Sequence, residues 1–123
     1  MYKVDPTTGD IKLTQGDTGE YNLTGLPADK TYRAFFAVQD GNRKQIGDQI
    51  ESILENGNVS FAIKESLTNL LTVKSSEETA TYYGGVKICD DDWYEETVTI
   101  GDKEEGEQIV ITVLPKQVEG VRK

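Results

Sequence analysis

The sequence contains no histidine and a single cysteine, Cys89. General acid–base and nucleophilic catalysis lean most often on imidazole, so triads of the serine-histidine-aspartate kind are excluded outright. A lone cysteine can form no internal disulfide and can build no thiolate metal site within one chain, which leaves packing to hold the fold. Long apolar runs are missing too. The longest are segments such as Ile109 to Leu114, far short of the about eighteen residues of a membrane-spanning helix, which predicts a soluble chain with no membrane partner. Positive charge is scarce: 13 basic against 22 acidic residues give a net charge of -9, which repels nucleic-acid backbones unless the cations cluster. The longest basic run, Arg43-Lys44, lacks the aromatic interleaving of a base-stacking platform, so no nucleic acid is expected as a partner. The start Met1-Tyr2-Lys3-Val4-Asp5 has no apolar signal-peptide core behind it, and with no disulfide this predicts synthesis in a cytoplasm. The sequons Asn22-Leu23-Thr24 and Asn58-Val59-Ser60 are then accidental.

What the sequence does have is alternation. A chain of 123 residues is one domain, able to bury roughly two thirds of its unfolded surface. Apolar residues recur with a period of two, which sets one face of each segment against a core. Ile11 and Leu13 open the series, and Tyr21 and Leu23 follow after the bend Gly16-Asp17-Thr18-Gly19, ended by Gly25 and Pro27. Tyr32, Ala34, Phe36 and Val38 form the cleanest face, while Phe35 and Ala37 make the other face apolar too, which predicts a central strand. Ile46, Ile50, Ile53 and Leu54 fit either a helical stripe or a strand, with Gly47 favouring the strand. Asn56-Gly57 signals a tight hairpin into Val59, Phe61 and Ile63. Leu67, Leu70 and Leu71 have helical spacing over too short a span to stand alone, and Ser75-Ser76-Glu77-Glu78 resembles a capping box starting one helical turn in a crossover. Tyr82 to Cys89 and Thr97 to Ile100 read as a hairpin around Asp90-Asp91-Asp92, and Ile109 to Leu114 as a last strand before Pro115.

Short strands about ten residues apart, joined by Gly and Asp turns, predict an all-β antiparallel immunoglobulin-like sandwich. It would have about seven or eight strands and at most one or two short helical turns. Residues 1–10 read as an N-terminal arm, 11–114 as the sandwich, and 115–123 as an extended C-terminal tail. Phe36, Phe61, Val86 and Ile111 are its expected core residues.

Candidate sites are few. Asp90-Asp91-Asp92 could gather carboxylates for calcium with Glu95, Asp102 or Glu104, but Glu95 stands where a calcium loop needs glycine, and a solvated turn accounts for the run; no metal or cofactor is expected. Trp93 and Tyr94, with Tyr82-Tyr83, could present rings to a sugar or a protein, or pack across strands. Cys89 reads as a small residue close to the core. Nothing singles out a pair among the acidic residues for two-carboxylate chemistry, so the expectation is a non-enzymatic binding or structural module.

The segments Asp5-Pro6-Thr7-Thr8-Gly9, Gln15-Gly16-Asp17-Thr18, Tyr82-Tyr83-Gly84-Gly85-Val86-Lys87-Ile88-Cys89, Glu96-Thr97 and Val113-Leu114-Pro115-Lys116-Gln117-Val118-Glu119-Gly120 span nearly the whole chain. As an ordered set they resemble small phage structural proteins, and are similar to the immunoglobulin-like N-terminal domain of siphophage upper baseplate proteins and to head-fibre and decoration proteins. One departure is Gly84-Gly85, where such relatives place a bulky aromatic before a single glycine. The resemblance implies an accessory virion part in many copies, made in a host cytoplasm and contacting other virion proteins, with no catalytic residues to carry over. Trp93, Tyr94, Pro115, Lys116 and Val118 are then the expected partner-binding residues. The competing class is a carbohydrate- or cell-surface-binding module built on the same sandwich.

Overall fold

The computed structural model describes residues 1–26, 28–29, 31–89, 96–100 (backbone alone) and 109–116. Among these, the strands are β1 (Lys3–Val4), β2 (Ile11–Thr14), β3 (Gly19–Leu23), β4 (Tyr32–Gln39), β5 (Gln45–Leu54), β6 (Val59–Ile63), β7 (Ala80–Cys89), β8 (Glu96–Ile100) and β9 (Ile109–Leu114), with one helical turn, α1 (Glu65–Thr68). The large sheet runs β1-β2-β9-β7-β4-β5, and a second sheet pairs β3 with β6. Gly84 of β7 sits between Val38 of β4 and Ile109 of β9, and Val86 between Phe36 and Ile100 of β8. Strands β8 and β9 therefore share the edge of β7 that faces away from β4.

The alternation explains this layering. In β4, Tyr32, Ala34, Phe36 and Val38 are buried towards the second sheet, and Phe35 is buried on the other face, as suits a strand with neighbours β5 and β7 on both sides. Opposite them, Tyr21 of β3 and Phe61 of β6 face each other in register. Their rings meet Phe36 at centroid distances of 5.5 Å and 5.6 Å, so one aromatic cluster locks the two sheets together. Phe36, Phe61, Val86 and Ile111 all lie in the core.

The corner before β7 fixes the sandwich type. Tyr82, near the start of β7, donates its hydroxyl hydrogen to the Thr72 carbonyl at 2.6 Å, the tyrosine corner of immunoglobulin-like domains. Two residues on, where antibody domains carry a cysteine, stands Gly84. A Cβ there would approach Phe36 Cζ to 3.1 Å and Ile111 Cδ1 to 3.4 Å, so the missing side chain is what lets the Phe36 ring lie against β7. The fold is an all-β immunoglobulin-like sandwich held by an aromatic cluster, with the one cysteine unpaired.

Three details differ from the sequence reading. The sheets are not purely antiparallel, because β2 runs parallel to β9 in the register Ile11↔Ile111 to Thr14↔Leu114. The Asn56-Gly57 turn forms, with both residues in the left-handed region (φ 54 and 79) and Glu55 and Asn58 exchanging both backbone hydrogen bonds. The arms then part, β5 to the large sheet and β6 to the small one, because Val59, Phe61 and Ile63 bury against the core from the opposite layer. The helical turn lies at Glu65–Thr68, where Leu67 and Thr68 are buried. Ser75 to Glu78 are all exposed and make a plain turn closed by the Glu77 amide on the Lys74 carbonyl, since a helix there would bury nothing. Cys89 is buried close to the core, as the sequence predicts, in register with Arg33 of β4. Its neighbour Ile88 takes the core position.

Within residues 1–10, read as an arm, Lys3 and Val4 pair with Lys12 and Ile11, and Tyr2 packs on the core beside Gly19. Tyr21 donates to the Gly9 carbonyl at 2.7 Å. Burial pushes both phenols up to about 12, helped at Tyr2 by Tyr21 and Glu20 and at Tyr21 by Asp10.

Candidate functional site

The parting of β5 and β6 leaves a groove along one side of the sandwich. From the Asn56-Gly57 turn the two strands diverge, clipped once where Ser52 Oγ donates to the Ser60 carbonyl at 2.7 Å. Among the described strands β5 ends the large sheet and β6 pairs only with β3, so each turns an edge without a described strand partner towards this groove. The groove has a volume of about 470 Å³ and is lined by Asp48, Ile50 and Glu51 on one wall, Lys64 on the other, and Leu67 and Leu70 at the α1 end. Gly47 makes that end possible. Its φ of +72° places it in the left-handed region, and a Cβ there would come within 2.9 Å of Leu67 Cδ1 and 3.2 Å of Leu70 Cδ1.

Several features make this side receptive. Natural sheets blunt free edges with lysine, proline or short strands. Strand β5 runs for ten residues without lysine or proline, bearing Asp48 and Glu51 and one irregularity at the Gly47 bulge. Two large apolar side chains stand open beside it: Ile53 is 59% exposed and Leu70 49% exposed. On the outer face of the large sheet, Arg33 donates from Nε (3.0 Å) and Nη2 (2.8 Å) to Glu51 Oε2, with its guanidinium 5.6 Å above the Phe35 ring. That arrangement sets the guanidinium over Phe35 and ties β4 to the middle of β5.

Of the residues expected to bind partners, Pro115 and Lys116 are exposed immediately after β9. The aliphatic end of Lys116 reaches over Gly16 beside the Asn69 amide, next to α1. Trp93, Tyr94 and Val118, and the run Asp90-Asp91-Asp92, lie outside the described residues. Among the described residues no aromatic ring is exposed, and no three of His, Cys, Asp and Glu converge as metal ligands would. Sequence reasoning missed the β5–β6 groove. Its one signal was the segment Gln45 to Leu54, whose isoleucines satisfied no single buried face.

No known protein family matches the chain, and no curated protein matches it in sequence. Solved structures do match in shape. One is the periplasmic chaperone SfaE, whose crystal structure overlays with a TM-score of 0.53 at 9% identity, covering 90% of this chain. The likeness is one of fold. The chain spans only 56% of that chaperone's length.

Proposed function

We propose that this chain is a non-enzymatic binding module working as an accessory structural part of a phage particle, by head decoration, fibre anchoring or tail and baseplate adaptation. It acts in many copies through contacts with other virion proteins. The observation that carries the binding role is the open side of the sandwich: two strand edges with no partner among the described residues flank a groove with Leu67 and Leu70 at one end. An extended segment of a neighbour can add to such an edge, drawing affinity from main-chain hydrogen bonds and selectivity from the pockets beside them. The likeness of the opening Asp5 to Gly9 and the ending Val113 to Gly120 to virion proteins supports the particle. A sandwich that folds by packing alone suits assembly in a host cytoplasm. The carbohydrate-binding alternative calls for an exposed ring platform, and no described side chain supplies one.

The test is composition. Particles from a lysate in which the chain is made are purified by density gradient and analysed by quantitative mass spectrometry and cryo-electron microscopy. The expected result is a fixed number of copies per particle, with density for the sandwich at symmetry-related positions. Absence of the chain from gradient-purified particles would overturn the proposal.

A further inference from the structure

The two ends of the large sheet are unlike. At the β1 end the strand is two residues long, with the exposed Lys3 and Lys12 side by side in register, and both devices keep a sheet edge from recruiting another chain. At the other end β5 runs for ten residues with neither device. Negative charge stands there instead. From Gln45 to Leu70, the stretch that encloses the groove, Asp48, Glu51, Glu55 and Glu65 stand against Lys64 alone, and all of these side chains are exposed. Among the described residues Arg33 answers Glu51, while Asp48, Glu55 and Glu65 have no ion-pair partner.

Resting on the protein-binding reading above, we infer that the groove takes an extended, basic segment of a partner protein, in which lysine or arginine alternates with a branched apolar residue and which adds as a strand along β5. In a strand laid against β5, every second side chain turns towards Ile50 and the leucines at the α1 end, and those between turn outward. Apolar residues suit the first set, because Ile50 is only half-buried and Leu70 is 49% exposed. Cations suit the second, because opposite charges on neighbouring strands stabilise a sheet and like charges destabilise it. From Asp48 to Glu55 the edge measures about 20 Å once the Gly47 bulge is allowed for, the reach of about six or seven extended residues.

A second copy of the chain fits worse. Two β5 strands paired antiparallel bring the carboxylates of Asp48, Glu51 and Glu55 towards their own counterparts, which charge opposes. The β1 edge has lysines of the right sign, yet its two residues are too few to cover a ten-residue strand.

The probes are capped synthetic heptapeptides: one alternating lysine and valine, one of the same composition with its lysines and valines in separate blocks, and one alternating glutamate and valine. Each is titrated into the full chain by calorimetry at low salt, and amide hydrogen exchange locates the contact. The expected result is that the alternating lysine peptide binds about tenfold more tightly than either of the others and slows exchange within β5. Asp48→Lys with Glu55→Lys, both at exposed positions, should leave the circular dichroism spectrum unchanged and reverse the preference between the lysine and glutamate peptides. Equal binding of the alternating and blocked lysine peptides would overturn the inference, because charge without strand pairing would then account for it. An unaltered preference in the double variant, or protection confined to residues outside β5, would overturn it as well. A chain that dimerises without peptide and protects β5 in doing so would overturn it in favour of a second copy. Particle composition is read separately, so a chain present in particles yet indifferent to these peptides fails this inference and leaves the proposed function standing.

Discussion

Replacing Phe36 with alanine tests the whole account of the core. The ring is 1% exposed and lies 5.5 Å from Tyr21 and 5.6 Å from Phe61, the contact that joins the two sheets. Removing a buried phenylalanine costs about 3–5 kcal/mol, and the value depends on how far the surroundings collapse. Here collapse is restricted. Tyr21 is held by its hydrogen bond to the Gly9 carbonyl, and Gly84 beneath the ring has no side chain to move into the void. The cost should therefore fall in the upper half of that range, against a total stability of about 5–15 kcal/mol for an ordinary domain. For a domain of this size that corresponds to a fall in Tm of roughly 10–20 °C. Urea unfolding followed by circular dichroism should show a lower midpoint at an unchanged slope, since the exposed area on unfolding hardly alters. A loss below about 1 kcal/mol would refute the placement of Phe36 at the junction of the sheets.

Gly84→Ala should destabilise by about 1–3 kcal/mol through its 3.1 Å approach to the Phe36 ring, and by clearly less in a Phe36→Leu background; equal costs in both would show that the ring is not what the glycine accommodates. Tyr2 and Tyr21 should ionise at about 12 when alkaline titration is followed by tyrosinate absorbance. Their folded values lie above the ordinary value of 10.0, so the protonated fold is favoured: stability from these groups holds below about pH 10 and is lost as pH rises from about 10 to 12. A urea midpoint constant across that window would contradict their burial. Asp91→Asn with Asp92→Asn should leave the melting temperature in calcium unchanged, and a calcium-dependent rise in the parent that disappears in this variant would make the aspartate run an ion site.

Several features were legible from the sequence alone because they are local. Alternation at Tyr32, Ala34, Phe36 and Val38 declares a buried face, Phe35 declares the second, and a strand apolar on both sides belongs in the middle of a sheet. Asn56-Gly57 declares its turn because only certain residues tolerate positive φ there. The end of β9 at Leu114 was legible too, since Pro115 cannot continue the ladder. Partnership was not. Period-two patterning reports which side of a strand meets the core and is silent on which strand lies beside it, so the parallel β2–β9 pair was decided by the closing of the sandwich. So was the parting of β5 from β6: the same buried residues, Val59, Phe61 and Ile63, serve a hairpin within one sheet or a crossing to the opposite layer equally well. The choice rests on β3, whose Tyr21 meets Phe61 from forty residues away in the chain. The groove left by that crossing exists only in three dimensions, because it is made of strand edges, and an edge is free or paired according to the whole topology.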